Sequence, residues 1–291
     1  MAQFAGLMPR LDPYARSFNA ERAARVSMPR RTLREDGRST GLSVLVLHKD
    51  RPDLLKRLWL GFDKLWEVCD RSGIEIELLL GDTGSTDSET LALLDAPPRG
   101  VDVTRGMRYQ FSRCNNDLFE QARYSTVLFM NNDVFIDECP EGVVEVFQTF
   151  TKDPSLGAVG VVLLFENGTV QHAGVELLRS PELFALPFHP GAKQHPLHAL
   201  GVSFASSAVT GAFLMTSSDH YARSGGFDER YEAECQDIDY CLRLRRAGFE
   251  IRTLSVGPIF HVENATREPG EEDWSDRVLF IRRWSSFVEC L

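Results

Sequence analysis

The sequence predicts an α/β fold, a doubly wound mixed sheet with helices on both faces. Two observations carry this. Through the first half of the chain, apolar runs alternate with helical patterns in the order strand, helix, strand, helix, strand. Three of the apolar runs then end in polar clusters: His48-Lys49-Asp50, Asp82-Thr83-Gly84 and Asn131-Asn132-Asp133. In open α/β sheets the ligand crevice lies outside the carboxyl ends of the strands. The topology therefore places all three clusters along one rim.

Each element follows from local pattern. Residues 42–47 form a nearly continuous apolar run, as a parallel strand buried on both faces requires. Pro52 and Asp53 mark a helix start, and apolar positions 54, 55, 58 and 62 keep helical spacing. A second strand over residues 76–80 ends at Gly81-Asp82-Thr83-Gly84-Ser85-Thr86-Asp87. A helix follows over 88–94, with Ser85 or Thr86 as its expected N-cap and Asp87 near its positive end. Residues 101–103 read as a short strand, 115–123 as a helix and 126–130 as a strand. The second half is less regular. It reads as a strand over 157–165, an Asn167-Gly168 turn into 170–175, a long loop over 181–196, and a strand over 208–215. A helix over 237–247 closes at Gly248, a short strand covers 251–254, and His261 follows the strand-like stretch 256–260. The expected division is a basic N-terminal extension over 1–40, halves over 41–135 and 136–265, and a C-terminal helical segment over 266–291.

Composition narrows the function. The chain has 291 residues, 43% hydrophobic and 25% charged, which is ordinary for a globular protein. Its formal net charge of -10 argues against nucleic acid as a partner, because phosphate-backbone binding needs a basic face. The one long basic excess lies in residues 1–40, with eight arginines against Asp12, Glu21, Glu35 and Asp36. It reads either as an arm for peripheral contact with anionic lipid or a partner subunit, or as a loosely packed extension, the second being favoured. Six scattered cysteines form no CxxC pair and read as the reduced thiols of a cytoplasmic protein. No signal-peptide core and no membrane-spanning run is visible, so any contact with a membrane is expected from the surface, at its inner face. The chain lacks GxGxxG after a strand, GxxxxGK[ST], GxSxG and HExxH, so dinucleotide, P-loop, hydrolase-elbow and zincin chemistry are unsupported.

The polar clusters suggest chemistry, each beside a plainer reading. Asp133 after a rigid strand suits a hard divalent cation, which takes one or two carboxylates plus substrate phosphates; a strand-end cap is the alternative. Asp82 can accept from a base N–H or a ribose hydroxyl. Glu234-Cys235-Gln236-Asp237-Ile238-Asp239 opens a helix, where acidic residues also answer the macrodipole. Asp237 and Asp239 diverge around a helix, so only one faces a given substrate, and a carboxylate there can act as general base. His261 is either structural or a ligand, since imidazole suits Mn²⁺ better than Mg²⁺. His189, His195 and His198 match no usual zinc spacing, and their loop reads as a lid.

Taken in order, these motifs resemble the family 2 glycosyltransferases with a GT-A fold, within them the bacterial rhamnosyltransferase-like group. The resemblance runs over residues 42–284. It is carried by the opening strand and helix through His48-Lys49-Asp50-Arg51-Pro52, by Gly81-Asp82-Thr83-Gly84-Ser85-Thr86-Asp87, and by Phe129-Met130-Asn131-Asn132-Asp133-Val134. It continues through Gln171-His172-Ala173-Gly174, Val209-Thr210-Gly211-Ala212, Gly225-Gly226-Phe227-Asp228, the Gln236-Asp237-Ile238-Asp239 segment, His261 and Phe280-Ile281-Arg282-Arg283-Trp284. The resemblance implies a Rossmann-like nucleotide-sugar-binding half joined to an acceptor-binding half. It further implies a nucleotide-diphosphate sugar donor, a saccharide or glycolipid acceptor, and Mn²⁺ or Mg²⁺ as cofactor. On that basis the donor side is His48, Asp50, Asp82, Asn131 and Asn132; the metal ligands are Asp133 and His261; the base is Asp237; and the acceptor side is Thr210, Gly211, Phe227 and Asp228. A single displacement with inversion follows. The sequence departs from the family at His48-Lys49-Asp50, where Thr-Tyr-Asn is usual, and at Gln236, where Glu is usual. Phe280 replaces the Gln of the processive QxxRW motif, so single-sugar transfer is expected. Two other readings on this fold class are a non-catalytic nucleotide- or sugar-binding module and a sugar nucleotidyltransferase. The second needs a Gly-rich loop after the first strand, and residues 48–52 contain no glycine.

Overall fold

A computed structural model describes residues 37–179, 185–196, 200–262 and 274–288. Most of the N-terminal extension, His198 and part of the loop over 181–196 lie outside these residues.

The first half forms as its apolar periods demand. Strand β1 (Ser39–His48) is followed by helix α1 (Pro52–Arg71), β2 (Ile76–Asp82), α2 (Ser88–Asp95) and β3 (Val101–Thr104). Then come α3 (Phe111–Phe119), β4 (Tyr124–Asn131) and β5 (Val134–Phe135). Strand β2 is buried along its whole length, which explains its unbroken apolar run. Helix α1 starts with Pro at its first turn and turns Leu54, Leu55, Leu58, Phe62 and Leu65 inward. Two details differ from the sequence expectation. Asp87 itself is the N-cap of α2, its carboxylate accepting from the Thr90 N–H at 2.8 Å. Helix α3 lies at 111–119 rather than 115–123, because the Gln110 side chain caps the Arg113 N–H and the chain turns at Glu120 and Gln121.

The second half begins with α4 (Pro140–Lys152), for which no element is expected above, although Pro140 and apolar positions 143, 144, 146, 147 and 150 mark it. It continues with β6 (Leu156–Val161), β7 (Leu163–Leu164), β8 (Val170–His172), β9 (Glu176–Leu177), β10 (Pro187–Phe188) and β11 (Val202–Ala205). Next are β12 (Phe213–Ser217), α5 (Ser218–Ser224), α6 (Gln236–Arg246), β13 (Glu250–Ser255), β14 (Phe260–His261) and α7 (Trp274–Val288). The strand expected over 208–215 is shifted: residues 209–212 form a turn, and only Phe213 onward pairs, against β4 and β6.

The main sheet has eight strands in the order β11-β13-β6-β12-β4-β1-β2-β3. Neighbours β3, β2, β1 and β4 are parallel; β12 runs antiparallel between β4 and β6, making the sheet mixed. Two apolar cores result. One joins α1 and α4 to the sheet through residues such as Leu55, Phe62, Leu128, Val143 and Phe147. The other joins α3, α5, α6 and α7 through Phe129, Tyr221, Phe227, Tyr240 and Trp284. A small four-stranded sheet, β5-β14-β7-β8, caps the end where β4 finishes. Among the described residues, no helix is long and apolar enough to cross a membrane.

Candidate active site

Register alone assembles the rim. In the β1/β2 ladder His48 stands opposite Asp82, and in the β1/β4 ladder Leu47 stands opposite Asn131. Three strand ends separated by tens of residues thus finish at one level. His48 is buried and takes a hydrogen bond from Asn132 Nδ2 on its Nδ1, at 3.0 Å. That contact leaves the proton on Nε2, which is buried and has no hydrogen-bond partner among the described residues. Burial lowers the His48 pKa, against the pull of Asp50 and Asp82, so the ring is neutral.

The two aspartates nearby differ. Asp82 is buried and accepts the Ser85 N–H at 3.0 Å on one oxygen. Asp50 spends Oδ1 on the Thr86 and Asp87 N–H groups, at 2.7 and 2.8 Å, and these bonds lower its pKa. Asp50 therefore ties the loop after β1 to the loop after β2 and shapes the rim through backbone.

Past β4 the chain turns at Asn132-Asp133 into the small sheet. Strand β14 pairs with β5, His261 opposite Val134, and this brings His261 Nε2 to 3.3 Å from Asp133 Oδ1. Both side chains are buried, and the Val262 N–H donates to the Asp133 carbonyl. A nitrogen and an oxygen ligand bound to one divalent ion at roughly 2.0–2.2 Å stand about 3–3.5 Å apart, so this pair fits a shared cation. Among the described residues there is no group of three or more His, Cys, Asp or Glu side chains that could hold a metal. A cation here needs phosphate oxygens and water to complete its shell.

Asp237 opens α6. Its Oδ2 accepts the Gly211 N–H at 2.6 Å and its Oδ1 accepts the Ile238 N–H at 2.8 Å. Burial raises its pKa, against these two bonds and the nearby His189. The Ala212 carbonyl in turn accepts the Asn131 N–H at 3.1 Å. The turn 210–212 therefore joins the carboxylate of α6 to the end of β4, two residues before Asp133. Thr210 closes that turn, its Oγ1 accepting from Ala212. A Cβ on Gly211 would sit 3.2 Å from the Phe111 ring, a tight contact, and 3.5 Å from Asp237 Oδ2, an ordinary one.

The remaining acceptor-side residues are placed differently from the expectation. Phe227 is 1% exposed and packs among Phe111, Phe129, Tyr221 and Tyr240, so its ring is core. Asp228 is clamped by Arg230 at 2.7 Å and Arg283 at 2.6 Å. Its neighbour in this network, Asp239, accepts from Arg243, Trp284 and Tyr231. The first-turn carboxylates of α6 have thus separated, Asp237 toward the rim and Asp239 into the core. Asp276 on α7 accepts the N–H groups of Glu232, Ala233 and Glu234 just ahead of Asp237. Nothing in the sequence marks this bond, because its partners lie more than 40 residues apart. A cavity of about 290 Å³ lined by Trp66, Glu75, Arg99 and Tyr124 opens at the amino ends of β2 and β4, away from these residues.

No family model matches the chain. It is 32% identical over 235 residues, 78% of its length, to the O-antigen biosynthesis protein RfbC of Myxococcus xanthus, and 25% identical over 175 residues to rhamnosyltransferase WbbL of Escherichia coli. Over this span the chain is similar to glycosyltransferases of bacterial polysaccharide assembly. It spans 18% of the Myxococcus protein and 63% of the E. coli one. The GT-A fold is shared with a mannosyltransferase from Pyrobaculum calidifontis solved with GDP-Man and Mn²⁺, at a TM-score of 0.52 and 15% identity over 99% of this chain and 73% of that one.

Proposed function

We propose that this chain is an inverting, metal-dependent glycosyltransferase domain. It moves one sugar from a nucleotide-diphosphate donor to a hydroxyl of a saccharide or glycolipid acceptor, in polysaccharide assembly. One observation carries the reading: the Asn131–Ala212 bond and the Gly211–Asp237 bond put a positioned carboxylate beside the rim where His48, Asp82 and Asp133 end. The relatives named for O-antigen biosynthesis and rhamnosyl transfer, and the Mn²⁺ of the structural neighbour, support the same chemistry.

The donor lies along the rim. Asp82, with one oxygen unused by the Ser85 N–H, accepts from the base or ribose, and His48 offers its buried Nε2–H beside it. Asp133 and His261 would hold Mn²⁺ or Mg²⁺, which would offset negative charge on the leaving diphosphate. Asp237 takes the acceptor hydroxyl proton as the oxygen attacks the anomeric carbon from the face opposite the diphosphate. The Gly211 and Ile238 N–H groups keep the carboxylate ionised before attack. The raised affinity for a proton that comes with burial helps it receive one.

The test is Asp237→Asn, assayed for transfer with a panel of UDP-, GDP- and dTDP-linked sugars and Mn²⁺, with donor binding followed by calorimetry. Transfer should fall by roughly 10²- to 10⁴-fold with donor binding retained. Transfer within tenfold of the parent removes Asp237 as base. Donor binding without transfer or hydrolysis in the parent chain makes it a binding module instead.

A further inference from the structure

One buried carboxylate has no part in the reaction outlined above: Asp276, in the first turn of α7. An acidic residue there also answers the helix macrodipole, a role that a surface position serves as well. Asp276 is 1% exposed instead, and its oxygens turn to another segment of the chain. Oδ1 accepts the Glu232 N–H at 3.0 Å, and Oδ2 accepts the Ala233 and Glu234 N–H groups at 2.7 and 2.9 Å. Three successive backbone donors on one carboxylate fix the path of residues 232–234, because bonds to an ionised acceptor are short and strong. The Glu234 side chain adds an ion pair to Arg277, the next residue of α7, at 3.1 Å. Further along α7, Trp284 donates to Asp239 at 2.8 Å and Arg283 pairs with it at 3.1 Å. Helix α7 thus grips the chain just before α6 and again in the first turn of α6.

The segment so held leads straight into Asp237. Cys235 follows Glu234 with a φ of 71°, in the left-handed region, and it is the N-cap of α6 without a side-chain cap bond. A buried non-glycine residue keeps such a backbone only where its surroundings over-determine it. On one side of Cys235 that constraint is Asp276 holding the Glu234 N–H; on the other it is Asp237 holding the Gly211 and Ile238 N–H groups. Rotation of the backbone at residue 235 swings the first turn of α6, and with it Asp237 Oδ2, away from the Gly211 N–H that it meets at 2.6 Å. We propose that Asp276 is a positioning residue for Asp237: it locks the left-handed turn at Cys235, and that turn sets where the Asp237 carboxylate points. This rests on the reading of Asp237 as base. Asp276 acts through the backbone it holds, from a helix more than 35 residues further along the chain.

The experiment compares Asp276→Asn with the parent chain and with Leu65→Ala, a cavity in the core under α1 that lowers stability by another route. Asparagine offers one acceptor oxygen and an NH₂ that cannot receive an N–H, so the clamp loses at least one bond. In the transfer assay with the active donor of the panel and Mn²⁺, run well below each Tm, kcat per calorimetric donor site falls roughly tenfold to a hundredfold, the loss that follows a reacting group misplaced by about 1 Å. The donor KM is unchanged. NMR of the glycine-labelled full chain, with Gly211 assigned by its loss in Gly211→Ala, gives a readout independent of turnover. The Gly211 amide proton moves upfield in Asp276→Asn as its bond to Asp237 lengthens. In Leu65→Ala the Tm falls, while kcat and the Gly211 signal match the parent. If Asp276→Asn does not fold, Arg277→Met, which breaks the Glu234 pair and leaves the carboxylate in place, shows the same pattern at smaller size. A Gly211 signal left in place overturns the proposal. So does an intact kcat in Asp276→Asn when Asp237→Asn has lost transfer, or a rise in donor KM alone. Transfer that survives in both variants, with the Gly211 signal moved, defeats the base reading instead and leaves the clamp standing.

Discussion

Replacing Arg243 with Met tests whether the Asp239 network holds α6 in place. The guanidinium gives Nε to Asp239 Oδ2 at 2.9 Å and its two Nη groups to the Ser224 and Gly226 carbonyls, each at 2.6 Å. Asp239 is fully buried and Arg243 nearly so. Removing one member of a buried pair costs about 3–5 kcal/mol, because the partner charge is stranded. Asp239 keeps Trp284 Nε1 at 2.8 Å, Tyr231 Oη at 3.2 Å and Arg283 at 3.1 Å, which places the carboxylate's share near the lower end. The orphaned Gly226 carbonyl adds about 1 kcal/mol or more, for a total of about 4 kcal/mol. At about 2.1 cal/mol/K per residue, a chain of 291 residues unfolds with an entropy of about 0.6 kcal/mol/K, so Tm should fall by about 6–7 °C. Scanning calorimetry of Arg243→Met beside Lys56→Met gives the answer. Lys56 pairs with Glu89 with both side chains more than half exposed, and such a pair is worth about 0–1 kcal/mol. A fall for Arg243→Met no larger than that of the Lys56 control refutes the network as a determinant of stability.

Two other outcomes follow from the site. Asp133→Asn and His261→Gln should each weaken Mn²⁺ binding in the presence of UDP by at least tenfold in titration calorimetry, with Tm in metal-free buffer little changed; equal Mn²⁺ affinity in both variants refutes the shared cation. For Asp228, burial pushes the carboxyl up, but hydrogen bonds from Arg230 and Arg283 outweigh it and hold the pKa well below the carboxylate range. A carboxylate with a depressed folded pKa contributes stability above its unfolded value, near 3.9, and loses it as pH falls toward the folded one. Asp228→Asn should therefore lower urea stability at pH 7, and the gap to the parent should narrow only below about pH 4; a gap that widens on acidification contradicts the ion pairs.

The sequence by itself determined the first-half architecture, because strands buried on both faces need apolar runs and helices need a 3.6-residue period. Strands β1, β2 and β4, helix α1 and the rim clusters were legible for that reason. The second half was less so. Short strands such as β5, β9 and β14 bury too few residues to print a period, and the turn 209–212 is as apolar as the strand that follows it. Only the tertiary structure decided which polar residues serve the rim. Asp237 and Asp239 are alike in sequence; Gly211 claims one, while Arg243 and Trp284 claim the other. Phe227 went to the aromatic core, Asp50 to two loop N–H groups, and His172 met His189 across 17 residues. Each of these depends on partners distant along the chain, and local pattern carries no information about which distant group a side chain will meet.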